Sequence, residues 1–292
     1  MSKARKLLSL LLALMLVVAM FAVAGCGGGD DTTDGTTTEE PADDGAITST
    51  DDLGEGNKVG VQSGTTGEDW AKTNLEPNGV EVVPYDDILL AFSALQAGDV
   101  DGVINDLPIS QDVVKDEARG LEIVQEIKTD EAYGFAFSKE NPALRDAVNW
   151  GLAQVIESGE YDAIYEKWFG DKPLSMPEAT SNAQKPAGEI KTLNPGKIIV
   201  GSDTAYPPFE NVEGGQTVGF DVDLVNAIAE KIGMTVEFKS YKFDALITGV
   251  QAATEFDMIA SAMTITEERQ QSIDFSDPYI NSNQSLAVKA AQ

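Results

Sequence analysis

The chain has 292 residues, with 20 lysines and arginines, 49 aspartates and glutamates, no histidine and a net charge of −29 at pH 7. This length suits one large domain or two small ones, and a charge of this sign repels nucleic acid and anionic lipid surfaces. The absence of histidine excludes a Ser-His-Asp triad, histidine metal sites and the commonest general base.

Residues 1–26 have the features of an export signal. Three basic side chains before Leu7 precede an apolar run that extends to Ala24. The segment closes with V-A-G-C, which ends in the chain's single cysteine, Cys26. Length alone would permit a membrane-spanning helix, but the charged start and the small residues favour a cleaved signal. V-A-G-C resembles a bacterial lipobox, which implies that Cys26 carries a lipid and anchors the protein to the outer face of the cytoplasmic membrane.

Residues 27–46 consist mainly of Gly, Thr, Asp and Glu and contain no basic residue. This composition cannot bury enough apolar surface to fold, so it predicts a flexible, self-repelling tether. The acidic residues lack the spacing of a calcium-binding loop, so no metal site is indicated.

A folded module is predicted from residue 47. Its first strand, residues 58–62, runs into the turn S-G-T-T-G of residues 63–67 and then into a helix. Free backbone amides at such a turn form an anion-binding geometry, although the Gly-Lys-Ser/Thr of a phosphate-binding loop is absent. An ordinary strand-to-helix turn is the alternative interpretation.

Asp106 ends a later strand of this module, immediately before Leu107 and Pro108. One interpretation makes Asp106 the cap of the helix that Pro108 helps to start. The other makes it a ligand-binding carboxylate, because open α/β sheets bind ligands at the carboxyl ends of their strands.

Two more strands are predicted at residues 121–127 and 133–137, followed by two helices that end at Phe169. The aromatic residues of these helices have helical spacing, which indicates core packing and not a ligand cage. Residues 171–193 are rich in Pro, Ser, Ala, Lys and Glu and indicate a linker. A second module of strands and helices begins after residue 193.

The second module contains the most informative stretch, S-A-M-T-I-T-E-E-R at residues 261–269. Thr264 and Thr266 are good helix N-caps, and acidic residues suit a helix N-terminus. Arg269 does not suit it, because a cation there faces the positive end of the helix dipole. A guanidinium beside hydroxyl groups at a strand-to-helix junction can bind a carboxylate. The alternative is a surface arginine paired with Asp274 or Asp277.

The stretch F-D-M-I-A-S-A-M-T-I-T-E-E-R and the following I-D-F-S-D-P-Y resemble the family 3 extracellular solute-binding proteins, the amino-acid receptors of bacterial ABC importers. V-G-V-Q-S-G-T-T-G and V-D-G-V-I-N-D-L-P resemble segments of that family's second lobe. The resemblance implies an α/β, two-lobed, type II periplasmic-binding-protein fold with a ligand cleft between the lobes.

The two halves of the family occur here in swapped order, which predicts a circular permutation. Residues 47–136 are predicted to form the second lobe, residues 137–170 the closing helices of the first lobe, and residues 194–292 the rest of the first lobe. This order predicts a single covalent crossing between the lobes, near residues 133–138.

The resemblance also implies roles for individual residues. Ser261, Thr264 and Arg269 hold the α-carboxylate of the ligand, and Ala262 stands where the family often has a second serine. Thr66, with Gly64 and Thr65, adds to the carboxylate site, and Asp106 binds the α-ammonium group. Tyr206 and Phe243 pack on either side of the ligand side chain, and Asp203 contacts the polar end of that side chain.

The predicted function is capture of an L-amino acid, polar or basic, and its delivery to the permease of an ABC importer. The expected protein is a monomer without cofactor, metal, catalytic residues or nucleic-acid partner. An enzyme similar to cyclohexadienyl dehydratase, an extracellular sensory protein and a remnant that binds nothing are the alternatives.

Overall fold

The computed structural model describes residues 45–171, 177–179, 183–185, 187–188 and 190–291. The predicted signal peptide, the lipidation site at Cys26, most of the predicted tether and parts of the predicted linker lie outside the described residues. Within the described ranges, no helix has both the length and the apolar character needed to cross a membrane.

The described chain alternates strands and helices, as the hydrophobic periodicity predicts. The strands are β1 Lys58–Gln62, β2 Glu81–Tyr85, β3 Gly102–Asp106, β4 Leu121–Tyr133, β5 Ala136–Phe137, β6 Lys197–Ser202, β7 Ala205–Tyr206, β8 Glu210–Glu213, β9 Gln216–Val218, β10 Thr235–Ser240, β11 Met258–Ile259, β12 Asp274–Phe275 and β13 Ile280–Lys289. The helices are α1 Thr66–Asn74, α2 Ile88–Ala97, α3 Leu107–Val114, α4 Pro142–Glu157, α5 Glu160–Phe169, α6 Phe220–Ile232, α7 Phe243–Ala252 and α8 Glu267–Ser272. The fold is therefore mixed α/β.

Two five-stranded sheets form the cores of two lobes. The second-lobe sheet has the order β2-β1-β3-β13-β4, and the first-lobe sheet has the order β10-β6-β11-β5-β12. In each sheet the three strands on one side run parallel, and the fourth strand runs antiparallel to both of its neighbours. The two lobes thus share one topology, in which the parallel strands direct their carboxyl ends towards one edge of each sheet.

The chain passes between the lobes twice. Strand β4 of the second lobe leads through Gly134 into β5 of the first lobe, and β12 of the first lobe leads through Ser276 into β13 of the second lobe. The prediction of a single covalent crossing is therefore wrong. The two crossings also pair with each other, since the amides of Tyr279 and Ser276 donate to the carbonyls of Tyr133 (2.9 Å) and Phe135 (2.8 Å).

The second crossing also corrects the predicted lobe boundary at the C-terminal end. The sequence predicts residues 280–289 in the first lobe, but β13 lies between β3 and β4 in the second-lobe sheet. The physical reason is burial, because Leu286 and Ala287 are fully buried and Val288 is 5% exposed in that position. Pairing on both sides satisfies the backbone groups of this apolar strand and keeps it from water.

Aromatic side chains join the closing helices to α6. The rings of Tyr161, Tyr165 and Phe169 lie 5.8, 5.8 and 5.2 Å from the ring of Phe220. Edge-to-face and tilted contacts at these distances are typical of buried aromatic clusters. The prediction that the aromatic residues of these helices form core is confirmed for Tyr161, which is 1% exposed, and Tyr165, Trp168 and Phe169 pack against the same core. Trp150 is half-buried and lies outside that cluster.

Candidate ligand-binding cleft

A narrow cavity, partly open to solvent, lies where the carboxyl ends of the parallel strands of the two lobes meet. Only about 10 Å³ of it is open to the centre of a water-sized sphere, so its walls nearly touch and an amino acid must separate them to enter. The cavity is lined by Gln62, Thr65, Thr66, Asp106, Tyr206, Phe243, Ala262, Thr264 and Arg269. Most of the residues that the sequence predicts as ligand contacts therefore surround one space. Asp203, Ser261 and Gly64 do not line it.

Direct hydrogen bonds between the lobes close this cleft. The side-chain amide of Gln62 donates to Asp203 Oδ2 over 2.7 Å, and the Tyr206 hydroxyl donates to Asn105 Oδ1 over 3.2 Å. Both contacts join strand ends of opposite lobes. A ligand in the cavity would therefore be shielded from bulk water, which strengthens every polar contact to it.

Of the residues that the structure describes, Arg269 is the only arginine that lines the cavity, and none of them gives it a carboxylate partner. Its guanidinium donates to the carbonyl of Thr264 over 2.8 Å and to that of Gly64 over 3.0 Å, and it lies 5.5 Å from the centre of the Phe243 ring. Among the described residues, no carboxylate oxygen lies within 4.0 Å of it. Burial lowers the pKa of the Arg269 guanidinium.

The alternative interpretation of Arg269 as a surface ion pair is not supported. Arg269 is only 9% exposed. One of its proposed partners, Asp274, instead accepts a hydrogen bond from Arg145 over 2.7 Å. The backbone amide of Arg269 donates to the hydroxyl of Thr266 over 3.1 Å, so Thr266 is the N-cap of α8. The cap holds the guanidinium at the wall of the cavity.

Asp106 lies at the carboxyl end of β3, opposite the first lobe. Its carboxylate accepts hydrogen bonds from the Tyr133 hydroxyl and from Gln284 Nε2. It makes no side-chain bond to the first turn of α3, so the capping interpretation is not supported. Burial, together with the charge of Glu131, raises the pKa of Asp106 to about 7, against the opposing effect of the hydrogen bonds. A cation such as an ammonium group would favour the ionised form.

Asp203 lies at the end of β6, behind the contact with Gln62. Burial raises the pKa of Asp203 to about 6, and the hydrogen bond from Gln62 opposes this shift. The other polar atom of Gln62, Oε1, is buried and has no hydrogen-bond partner. An unpartnered buried oxygen is costly in an empty site, and a ligand donor would satisfy it.

Ser261 and Ala262 are held from behind by two buried acids. The Ser261 hydroxyl donates to Glu210 Oε1 over 2.8 Å and accepts from the amide of Asp203 over 3.0 Å. The amide of Ala262 donates to Asp221 Oδ2 over 3.0 Å. The hydroxyl of Ser261 is therefore directed away from the cavity, and its observed contacts position the turn that carries Thr264.

Two site residues were missed by sequence reasoning. Gln62 ends β1 and lines the cavity, but its place in the predicted strand gave no sign of this. Glu131 accepts hydrogen bonds from the hydroxyls of Thr66 and Thr264, each over 2.7 Å. Since Glu131 is 65 residues from Thr66 and 133 from Thr264 in sequence, no local pattern could reveal the contact.

Two segments of the chain, residues 71–171 and 198–292, match the model of the bacterial extracellular solute-binding proteins, family 3. The arginine-binding extracellular protein ArtP of Bacillus subtilis is 41% identical over 93 residues, which cover 32% of this chain and 36% of ArtP. The L-cystine-binding protein TcyJ of Escherichia coli K12 is 36% identical over 127 residues, 44% of this chain and 47% of TcyJ. These matches thus span about half or less of each relative's length.

Solved structures give similar partial matches. An ancestral arginine-binding protein bound to arginine shares 46% identity over 29% of this chain and 38% of its own, with a TM-score of 0.28. A truncated, arginine-bound ArgBP from T. maritima shares 44% identity over 29% of this chain and 40% of its own, with a TM-score of 0.28. The family match covers well over half of this chain. The chain therefore belongs to the bacterial extracellular solute-binding proteins, family 3.

Proposed function

We propose that this protein captures a free L-α-amino acid in the cleft between its lobes. The observation that carries the proposal is the buried Arg269 guanidinium without a carboxylate partner, on the same cavity as the buried carboxylate of Asp106. An α-amino acid supplies both missing charges, a carboxylate for Arg269 and an ammonium group for Asp106. Each charge is then desolvated only when it is paired.

The proposed roles of the other residues follow from their positions. Thr264 and Thr66 complete the proposed carboxylate site. Thr65, Gly64 and Ala262 are proposed to shape its wall, since the amides of Gly64 and Ala262 already donate to Glu68 Oε2 and Asp221 Oδ2. Tyr206 and Phe243 enclose the ligand side chain.

The charge of the site favours a basic or polar side chain. Asp106 lines the cavity, and Asp203 and Glu131 lie behind it, bonded to the lining residues Gln62 and Thr66, so three carboxylates lie near the one guanidinium of Arg269. A ligand with a second cation would reduce this excess and would stabilise the ionised form of Asp203. The names of relatives such as the arginine-binding ArtP support this class of ligand.

The proposal includes delivery of the amino acid to an ABC importer and attachment to the outer face of the cytoplasmic membrane through a lipid on Cys26. Closure of two lobes around a ligand is a common switch that a membrane partner can recognise. We further propose that the protein acts as a monomer and transforms no substrate, as expected of a binding protein.

Isothermal titration calorimetry of the mature protein with the twenty amino acids, ornithine and citrulline tests the proposal. One-to-one binding of at least one L-amino acid, recovered unchanged after incubation, is expected. Absence of binding by all of them would overturn the proposed function. Conversion of the bound compound would favour the enzyme alternative.

A further inference from the structure

One carboxylate of the protein already occupies hydroxyl groups that the proposed function assigns to the ligand. Glu131 Oε2 accepts from Thr66 Oγ1 and from Thr264 Oγ1, each over 2.7 Å. Thr66 belongs to the second lobe and Thr264 to the first lobe. A single oxygen of Glu131 therefore bridges the two lobes behind the two threonines, which line the cavity.

The remaining groups around Glu131 are also connected to the site. Gln284 Nε2 donates to Glu131 Oε1 over 3.0 Å and to Asp106 Oδ1 over 2.5 Å. Glu131 thus lies next to the proposed ammonium site as well as to the two threonine hydroxyls. Arg269, in contrast, donates only to backbone carbonyl groups. The hydroxyl half of the proposed carboxylate site is filled, and the guanidinium half is not.

We propose that Glu131 is an internal substitute for the carboxylate of the ligand and thereby determines how strongly the protein discriminates between amino acids and the corresponding amines. This inference rests on the proposed function. A ligand carboxylate must displace Glu131 from the two hydroxyls, and two carboxylates at one partly buried site repel each other. An amine without the α-carboxylate leaves the Glu131 contacts intact and still gains attraction from Glu131 and Asp106.

The opposite effects on the two ligand classes make the inference testable. Replacing the charge of Glu131 removes the competitor of the amino-acid carboxylate, but it also removes an attraction for the ammonium group. The first effect acts only on amino acids, whereas the second acts on amino acids and amines alike. The ratio of the two dissociation constants therefore isolates the competition with the ligand carboxylate.

The test uses Glu131→Gln and three ligand pairs: L-arginine with agmatine, L-lysine with cadaverine and L-histidine with histamine. For every pair that binds, calorimetry should show the preference for the amino acid over the amine increasing at least about tenfold relative to the unaltered protein. Glu122→Gln removes an exposed charge from the same strand and should leave the preference within about twofold. A preference that stays unchanged in Glu131→Gln, or that shifts towards the amine, overturns the inference.

A second variant and a second measurement guard against misfolding. If Glu131→Gln does not fold, Glu131→Ala is tested with the same pairs and the same criterion. Small-angle X-ray scattering of the empty protein should show a larger radius of gyration for Glu131→Ala, because the bridge between the lobes is lost.

If the unaltered protein binds an amino acid but the preference does not change, only this inference fails. If neither the unaltered protein nor the Glu131 variant binds any of the six compounds, the inference fails. If the unaltered protein also binds none of the amino acids in the wider calorimetric screen, the proposed function fails as well.

Discussion

Arg269 shows how a buried charge without a counter-charge can indicate a binding site. It is the third residue of the six-residue α8 and falls in its last turn as well as its first, so its cost comes from burial and not from the helix dipole. Backbone carbonyl groups satisfy part of its hydrogen-bonding capacity but none of its charge. Arg269 therefore adds little to the stability of the empty protein, whereas it should contribute strongly to the affinity for a ligand that carries a carboxylate.

We expect Arg269→Ala to abolish detectable amino-acid binding with little change in melting temperature. Truncation removes a charge-assisted contact, and the loss is about 2–5 kcal/mol for a buried charged pair. Calorimetry and thermal unfolding measure the two effects. Arg119→Ala, which removes a surface arginine paired with Asp116 in a short turn, is the control and should bind normally. Normal binding by Arg269→Ala combined with a much lower melting temperature would show that Arg269 is structural.

The raised pKa values of Asp106 (about 7) and Asp203 (about 6) predict opposite effects of pH on stability and on binding. Both pKa values exceed that of an aspartate in the unfolded chain, which is about 3.9. At a pH between about 3.9 and the raised pKa of each group, the folded state therefore binds more protons than the unfolded state. The stability of the empty protein should therefore fall as the pH rises from about 4 to 7. Affinity should rise on the order of tenfold or more from pH 5 to pH 7, because the ligand cation needs the ionised carboxylates.

Thermal unfolding of the empty protein and calorimetry at pH 5, 6, 7 and 8 measure these trends. Surface carboxylates also titrate, so Asp106→Asn is compared with the unaltered protein at each pH. The difference in stability between the two should grow in favour of Asp106→Asn as the pH rises. Affinity of the unaltered protein that is independent of pH would contradict the assignment of Asp106 to the ammonium group.

The sequence predicted some of these residues and not others for a physical reason. Arg269 and Asp106 stand in long, spaced motifs at the carboxyl ends of predicted strands, and both line the cavity. Gln62 and Glu131 acquire their roles only through partners on distant segments, such as Asp203 and Thr264. Sequence patterns report local preferences, whereas these contacts exist only after the lobes close.

At the scale of elements, α8 is a six-residue helix that depends on its N-cap. The Thr266 hydroxyl accepts the hydrogen bond of the Arg269 amide, so one contact both caps the helix and positions the guanidinium. We expect Thr266→Ala to lower the free energy of unfolding by about 1 kcal/mol and to weaken amino-acid binding, with Thr266→Ser restoring both. Denaturant unfolding and calorimetry test this. An affinity that Thr266→Ala leaves unaltered would show that packing alone holds Arg269 in place.

The strands show where local prediction reaches its limit. The sequence predicts a strand at residues 58–62, and β1 has the same bounds. Residues 121–127 and 133–137 are predicted as two strands, whereas β4 extends from Leu121 to Tyr133. Its pairing with β13 shifts register between Ser282 and Gln284, which pair with Glu131 and Ile127, so residues 128–130 have no partner in the ladder. The predicted gap persists as an irregularity within one strand, where the amides of Thr129 and Asp130 donate to Asn283 Oδ1.

At the scale of the whole molecule, the swapped order of the two halves remains a prediction. Two observations make it testable: Thr50 near the start of the second lobe donates to Gln125, and the amide of Ala291 donates to Glu122. Both ends of the described chain thus lie against β4. A short linker could join them without disturbing either lobe.

We expect a reordered chain, with Lys289 joined to Ile47 by a short linker and opened within residues 171–193, to fold and to bind the same ligand. Because both crossings between the lobes are already covalent, the affinity should stay within about threefold of the original. Circular dichroism and calorimetry test this expectation. Loss of folding, or binding of a different ligand, would show that the chain is not a simple permutation.

The insertion of the whole first lobe between β4 and β13 has a consequence for the time course of folding. All strands of the first lobe lie between Ala136 and Phe275, so this lobe can assemble as soon as that segment is available. During synthesis the sheet of the second lobe cannot be completed before β13 is made, because β13 separates β3 from β4 and follows the entire first lobe in the chain. While the chain grows from its N-terminus, the first lobe can therefore form before the second lobe completes its sheet.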